Sequence, residues 1–286
     1  MALRVRPTAD PRNLIRVMPA KGVQWSASVP PPDGGVLIPH PGSGHARHAI
    51  LIGDGDVPAR AALDVAWPGW AADADLVIAA DGGARKADRA GLLPHLVVGD
   101  GDSLGESGLA EIRAAGIPME RAAAAKDESD LELAVLAAVA RGAVRLTILG
   151  AMGGPRFDHA LANAWLLAHP ALDGRTAVLL DARTRVRLLS SRAPGGAAAA
   201  GPATAVGPAE AILAGAPGDL VSLFPFGADA VGVTTDGLAY PLRDEPLRTG
   251  PARGLSNIRT GTEARVSLRS GRLLIVETRD TEGASR

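Results

Sequence analysis

From His48 onward the chain alternates short apolar runs with polar stretches. The runs are Ala49–Ile52, Leu76–Ala80, Leu96–Val98, Leu146–Leu149 and Ala177–Leu180, each followed at once by Gly or Asp. Runs that are continuous rather than alternating predict strands buried on both faces, as in a mostly parallel sheet covered by helices. Between them the pattern predicts helices over 130–141 and 159–168. The first opens on Ser129-Asp130-Leu131-Glu132. That is a capping box, in which Ser129 caps the N-terminus and Glu132 reaches back to it. Leu131, Val135 and Val139 follow at i, i+4, i+8 as its buried stripe.

After about residue 190 the texture changes. Residues 191–209 are rich in Ala, Gly and Pro and read as a linker or loop. Short strand-like pieces follow at Leu220–Phe224, Val231–Thr235, Arg265–Leu268 and Leu273–Thr278, with a hairpin turn expected around Ser270-Gly271. The expected architecture is therefore α/β: a Rossmann-like, mostly parallel sheet domain over 47–190, then a smaller all-β sandwich domain over 210–281. Residues 1–46 hold eight prolines and no sustained periodicity, which predicts a disordered extension.

Composition removes whole classes of function. The chain has 286 residues and a net charge of −1, which argues against a dedicated nucleic-acid binder or a polybasic membrane protein. Without cysteine there is no disulfide framework, thiolate metal site or cysteine nucleophile. No apolar run approaches the ~18 residues of a membrane span, and residues 1–46 lack the apolar core of a secretory signal. A cytoplasmic protein is expected. The balanced charge hides a polarity: residues 81–130 carry ten acidic and six basic residues, whereas 241–286 carry nine basic and six acidic.

The acids sit where a parallel α/β sheet binds ligands, beyond the carboxyl ends of its strands. Asp81 follows one run in Ala80-Asp81-Gly82-Gly83, and Asp100 and Asp102 follow the next in Gly99-Asp100-Gly101-Asp102-Ser103. Lys126-Asp127-Glu128-Ser129-Asp130 stands just before a helix, and Gly153-Gly154-Pro155-Arg156-Phe157-Asp158-His159 joins a strand to the next helix. Carboxylates at strand ends, with glycines that admit a ligand to the backbone and a few cations nearby, suit Mg²⁺ and a polyphosphate. Gly153 and Gly154 can offer N–H groups to phosphate, with Arg156 as a bidentate cation and a helix N-terminus behind them. Asp130 and Asp158 equally suit plain helix-start positions. Gly53-Asp54-Gly55-Asp56 repeats the GDGD string and could line a nucleotide pocket. Residues 100–111 fit a calcium loop except for Leu104, but an apolar strand precedes them where a helix is needed. There is no GxxxxGK[ST], GxGxxG, GxSxG or HExxH string.

Taken in order, Ala-Asp81-Gly-Gly, Gly-Asp100-Gly-Asp102-Ser103, Lys126-Asp127-x-Ser129-Asp130, Gly153-Gly-Pro-Arg156-Phe-Asp158-His159 and Gly254-Leu-Ser256-Asn257 resemble the thiamine pyrophosphokinase family over about residues 48–280. The resemblance implies Mg²⁺-dependent transfer of diphosphate from ATP to the hydroxyl of thiamine, with release of AMP. It implies that Asp100, Asp102, Asp127 and Asp130 are catalytic, the first three as metal ligands, with either Asp127 or Asp130 as base. Asp81, Gly82, Gly83 and Lys126 fall to the ATP side, as do Gly153, Gly154, Arg156, Asp158 and His159. Ser103, Ser256 and Asn257 fall to thiamine. A homodimer with sites shared between subunits is implied. Ser129 stands where the family has threonine and Leu220 where relatives often have an aromatic residue, leaving Phe224, Phe226 and Tyr240 for stacking in the β part. The alternatives are a pyrophosphokinase of the same architecture acting on another heterocyclic alcohol, such as a hydroxymethylpterin, and a non-catalytic nucleotide-binding relative.

Overall fold

The computed structural model describes residues 48–122, 127–191 and 208–280. The expectations for residues 1–46, for Lys126 and for most of the 191–209 linker lie outside the described residues.

The apolar runs are parallel strands: β1 (His48–Ile52), β2 (Leu76–Ala80), β3 (Leu96–Gly99), β5 (Arg145–Leu149) and β6 (Thr176–Leu180), joined by the short β4 (Met119–Arg121). Their order across the sheet is β6-β5-β1-β2-β3-β4, all parallel. β1 and β2 are buried at every position, the burial that a sheet clad on both faces demands. One face packs on α3 (Asp130–Ala140) and α4 (Phe157–Leu166). The other packs on α1 (Arg60–Ala66), the 3₁₀ segment Asp81–Ala90 and α2 (Gly105–Ala114).

The sheet does not stop at β6. β7 (Thr184–Ser190) turns back antiparallel to β6 and pairs along its whole length with β14 (Arg272–Thr278). β14 in turn pairs with β9 (Leu220–Pro225), which pairs with β12 (Asn257–Ile258). One ten-stranded sheet thus runs through both halves of the described chain. A second sheet, β11 (Glu245–Leu247), β10 (Ala230–Asp236), β13 (Glu263–Leu268) and β8 (Ala209–Ala214), closes a sandwich over its antiparallel end. The core between the two sheets holds Leu213, Val233, Val266 and Leu268 against Val221, Leu223, Leu273 and Ile275.

This corrects the hairpin expected at Ser270-Gly271. β13 pairs with β10 and β8, whereas β14 pairs with β7 and β9, so the turn crosses between sheets. Ala264, Val266 and Leu268 on one strand and Leu273 and Ile275 on the other are fully buried. Both strands meet the core face to face, which edge-to-edge pairing would forbid. The capping box is half formed. Ser129 Oγ accepts from the Glu132 N–H at 3.2 Å, but the Glu132 carboxylate turns to His169, 3.4 Å away.

Candidate active site

β2 and β3 are neighbours, so the residues just beyond their carboxyl ends, Asp81 and Asp100, stand side by side. The first turn of α3 sets Asp130 against them. Carboxylate oxygens of the three lie within 4.8 Å of one another. Asp81 is 2% exposed, and its backbone adopts φ +39°, a conformation uncommon outside glycine. Its Oδ2 accepts from the Ser103 N–H at 3.0 Å, while its Oδ1 is buried and receives no hydrogen bond. Burial pushes the Asp81 carboxyl above its ordinary pKa, and the charges of Asp130 and Asp100 push the same way against the Ser103 hydrogen bond. Gly99 makes the cluster possible. At φ +142°, a Cβ there would lie 3.0 Å from the Asp81 Cβ and 3.2 Å from the Asp130 carboxylate.

The structure groups only some of the metal ligands expected from the sequence. Asp100 lies in this group with Asp81 and Asp130, whereas Asp102 and Asp127 lie outside it. Asp102 is exposed, and its N–H bonds back to Asp100 Oδ1 at 3.0 Å in an Asx-type turn. Asp127 is exposed ahead of the Ser129 cap. Ser103, expected at the substrate, donates its backbone N–H to Asp81 Oδ2.

Beside this group, the loops after β1 and β5 pack backbone to backbone. Gly53 N–H donates to Leu149 O and Gly55 N–H to Gly150 O, each at 2.8 Å. A Cβ on Gly150, itself at φ +64°, would fall 2.4 Å from the Gly53 carbonyl oxygen. Lys86 reaches across from the 3₁₀ segment to the Asp54 carboxylate at 2.9 Å and to Gly55 O at 3.1 Å. Sequence reasoning passed over Lys86; its signal was that the chain keeps only three lysines against 27 arginines. Gly82 lies against the same loop, since a Cβ there would meet the Asp54 carboxylate at 2.5 Å. Gly83 approaches the carbonyl of Ile52.

The Gly153-Gly154 turn has its amide partly engaged already, because Gly154 N–H donates to Asp56 Oδ2 at 3.0 Å. Arg156 grips Asp158 through both guanidinium and carboxylate edges, and this exposed hydrogen-bonded pairing lowers the Asp158 carboxyl to about 2. His159 is exposed in the first turn of α4.

In the β half a separate cavity of about 350 Å³ is lined by Leu223, Tyr240, Leu242, Arg253, Leu255 and Asn257, among others. Asn257 is 8% exposed and its amide is spent on Tyr240. Oδ1 accepts from Tyr240 N–H at 3.0 Å, and Nδ2 donates to Tyr240 O at 2.6 Å. Asn257 therefore sets the position of Tyr240, a residue that is 67% exposed. Ser256 sits at φ +56° with its N–H on Ser222 Oγ.

Known proteins place this arrangement. The sequence model described as "Thiamin pyrophosphokinase, catalytic domain" matches residues 69–179, and "Thiamin pyrophosphokinase, vitamin B1 binding domain" matches 212–273, together more than half of the chain. The chain belongs to the thiamin pyrophosphokinase family. The fold agrees. The Bacillus subtilis thiamine pyrophosphokinase structure superposes with a TM-score of 0.65 at 23% identity, covering 82% of this chain and all of that one. A thiamin pyrophosphokinase family protein from Enterococcus faecalis gives 0.62 at 24% identity with coverage of 82% and 100%, and the yeast enzyme 0.62 at 16% identity with 86% and 93%. Comparison with curated protein sequences finds no match. Within the thiamin pyrophosphokinase frame, the catalytic-domain match contains the acidic group and the Gly153-Gly154 turn, and the second match contains the Tyr240 cavity. Among the described residues, no helix is long and apolar enough to cross a membrane.

Proposed function

We propose that this chain transfers diphosphate from ATP to the hydroxyl of thiamine, giving thiamine diphosphate and AMP, at the edge formed by Asp81, Asp100 and Asp130. The observation that carries the reading is the buried, unpaired Asp81 Oδ1 beside two further carboxylates. An orphaned anionic oxygen among like charges is costly unless a cation joins it. The donor set is all carboxylate oxygen, which suits Mg²⁺, and Asp81, Asp100 and Asp130 are the residues that would hold it. Bound there, Mg²⁺ would offset charge on the phosphates.

The chain's own groups supply the rest. Phosphoryl transfer asks mainly for positioning and charge neutralisation. Lys86 and Arg156 are the cations at the loops after β1 and β5. Lys126, outside the described residues, adjoins the acidic edge in sequence. The hydroxyl oxygen of thiamine bonds to the β-phosphorus of ATP and the bond from that phosphorus to the α,β-bridging oxygen breaks, so that AMP leaves. The hydroxyl proton passes to an aspartate carboxylate, for which Asp127 is the candidate because Asp130 stands within the acidic group. The Tyr240 cavity suits the rings of thiamine, with an exposed aromatic face held by Asn257.

The reading extends to a cytoplasmic homodimer. α4 leaves Phe157, Leu161 and Trp165 exposed at i, i+4, i+8, a stripe suited to a subunit contact. It also keeps 47–190 as the catalytic domain and 210–281 as the thiamine-binding domain.

The test incubates purified protein with ATP, Mg²⁺ and either thiamine or a hydroxymethylpterin, and quantifies AMP and the diphosphate ester. AMP with thiamine diphosphate is expected. ADP in place of AMP would overturn diphosphoryl transfer, and product only with the pterin would reassign the acceptor. Within this reading, Asn257→Ala releases Tyr240 and raises KM for thiamine about tenfold, the worth of ~1.4 kcal/mol, with kcat and KM for ATP little changed. A fall in kcat alone, measured in steady-state kinetics, would contradict a binding role.

A further inference from the structure

Over β5, β6 and β7 the face of the long sheet that α1 borders is open to solvent. A groove of about 1160 Å³ lies there, floored by Thr147, Val178, Leu180, Arg185 and Arg187. Trp67 and Trp70 wall one side, and the Ala214–Ala216 turn with Asp219 and Arg279 walls the other. None of its lining residues belongs to the acidic group, to the loops after β1 and β5, or to the Tyr240 cavity.

The groove is built around surplus positive charge. Arg183, Arg185, Arg187 and Arg279 line it, against Asp219 and Asp280. Glu277 beneath the floor is shared three ways, by Arg185 at 2.7 Å, Arg187 at 2.6 Å and Arg259 at 3.1 Å. One carboxylate cannot satisfy three guanidiniums, and the Arg187 Nε–H remains buried without an acceptor. Arg279 is taken by Asp219 at 2.5 Å, but no carboxylate among the described residues pairs with Arg183. Two of the cations are also held in place. Arg185 and Arg279 pack on the Trp67 ring at 4.7 and 4.3 Å from its centre, and the Trp67 indole N–H is fixed on Asp181 O at 2.7 Å. Arginines that outnumber the carboxylates lining a concave, partly desolvated space favour an oxyanion there, because each acceptor oxygen it brings offsets net charge and gives the exposed Arg183 guanidinium a partner.

We propose that this groove is a second anion-binding site, separate from the acidic edge, that takes a diphosphate group through Arg183 and Arg187, either as the free ion or as an ester whose organic part lies along Trp67 and Pro68. Binding here needs no divalent cation, because the arginines supply the countercharge. Binding at the carboxylate edge cannot dispense with one. The inference is therefore independent of the reaction assigned to that edge.

The experiment uses the full chain in excess EDTA and titrates inorganic pyrophosphate by calorimetry. Saturable binding is expected, weakened at least tenfold in Arg183→Glu and also in Arg187→Met, and unchanged in Asp100→Asn. Arg183 is exposed and unpaired, so Arg183→Glu should melt with the wild type, which keeps the test valid if Arg187→Met unfolds. Displacement of the bound pyrophosphate by ADP or by thiamine diphosphate identifies a diphosphate ester as the occupant, and failure of both identifies the free ion. Absence of saturable binding, or binding lost in Asp100→Asn and kept in Arg183→Glu, would overturn the proposal.

Discussion

Asp81→Asn should abolish turnover and yet make the protein more stable. The side chain is buried, receives one hydrogen bond on Oδ2 and none on Oδ1, and shares its space with Asp100 and Asp130. In the absence of a divalent cation, three clustered carboxylates repel, and burial adds the cost of desolvating an anion. Asparagine keeps the shape, removes the charge, still accepts the Ser103 N–H through its amide oxygen, and tolerates φ +39° better than most residues. In EDTA the variant should melt about 2–4 °C higher, the shift that ~1 kcal/mol produces in a chain of this size. Addition of Mg²⁺ reverses the order: the wild type gains through ligand linkage and the variant does not. Turnover falls by about 10²–10³-fold or more, the usual cost of losing one preorganised charge-stabilising group. The same measurements on Asp102→Asn separate the two ligand sets. If Asp102→Asn lost the Mg²⁺-dependent stabilisation and Asp81→Asn kept it, the cluster would not be the cation site.

That contrast also marks the limit of reading the site from sequence. Asp100 and Asp102 are adjacent in the GDGD string and look like a pair, whereas Asp81 and Asp100 are 19 positions apart and become neighbours only because β2 and β3 are. Strand adjacency is non-local information that no local spacing contains. The parallel strands themselves were legible, since burial on both faces leaves continuous apolar runs. β7 was not, because Thr-Arg-Val-Arg-Leu-Leu-Ser alternates Arg185 and Arg187 onto the open groove with Val186 and Leu188 onto the core side. Its partner β14 lies some ninety residues on. The role of Asn257 follows the same rule. Gly-Leu-Ser-Asn marks the place, but only the structure shows that both ends of the amide hold Tyr240.

Glu277→Gln should produce the largest loss of stability of any single polar substitution in the β half. Glu277 is 2% exposed on β14 and is the shared acceptor for Arg185 and Arg187 from β7 and for Arg259 just beyond β12, so two strands and the segment after a third meet on one carboxylate. Arg259 is 1% exposed, and its Nε–H already lacks an acceptor. Removing this buried counter-charge leaves Arg185, Arg187 and Arg259 without their shared carboxylate in low dielectric, a defect that costs about 3–5 kcal/mol when a buried pair is broken. The melting temperature should fall by roughly 10 °C or more. The pH dependence has a definite sign. Burial alone would push the Glu277 carboxyl up, but the hydrogen bonds and charges of Arg185 and Arg187 outweigh it and hold the group below its ordinary value. A depressed folded-state pKa means that the contribution is fully present above the unfolded value, ~4.3 for glutamate, and is lost as pH falls through the folded one. Melts of wild type and Glu277→Gln should differ by a constant amount between pH 6 and 8 and converge only below about pH 4. Convergence already at pH 6 would mean that Glu277 is not the ionised hub of this network, and a melting shift of only a degree or two would mean that the arginines find other partners when it is gone.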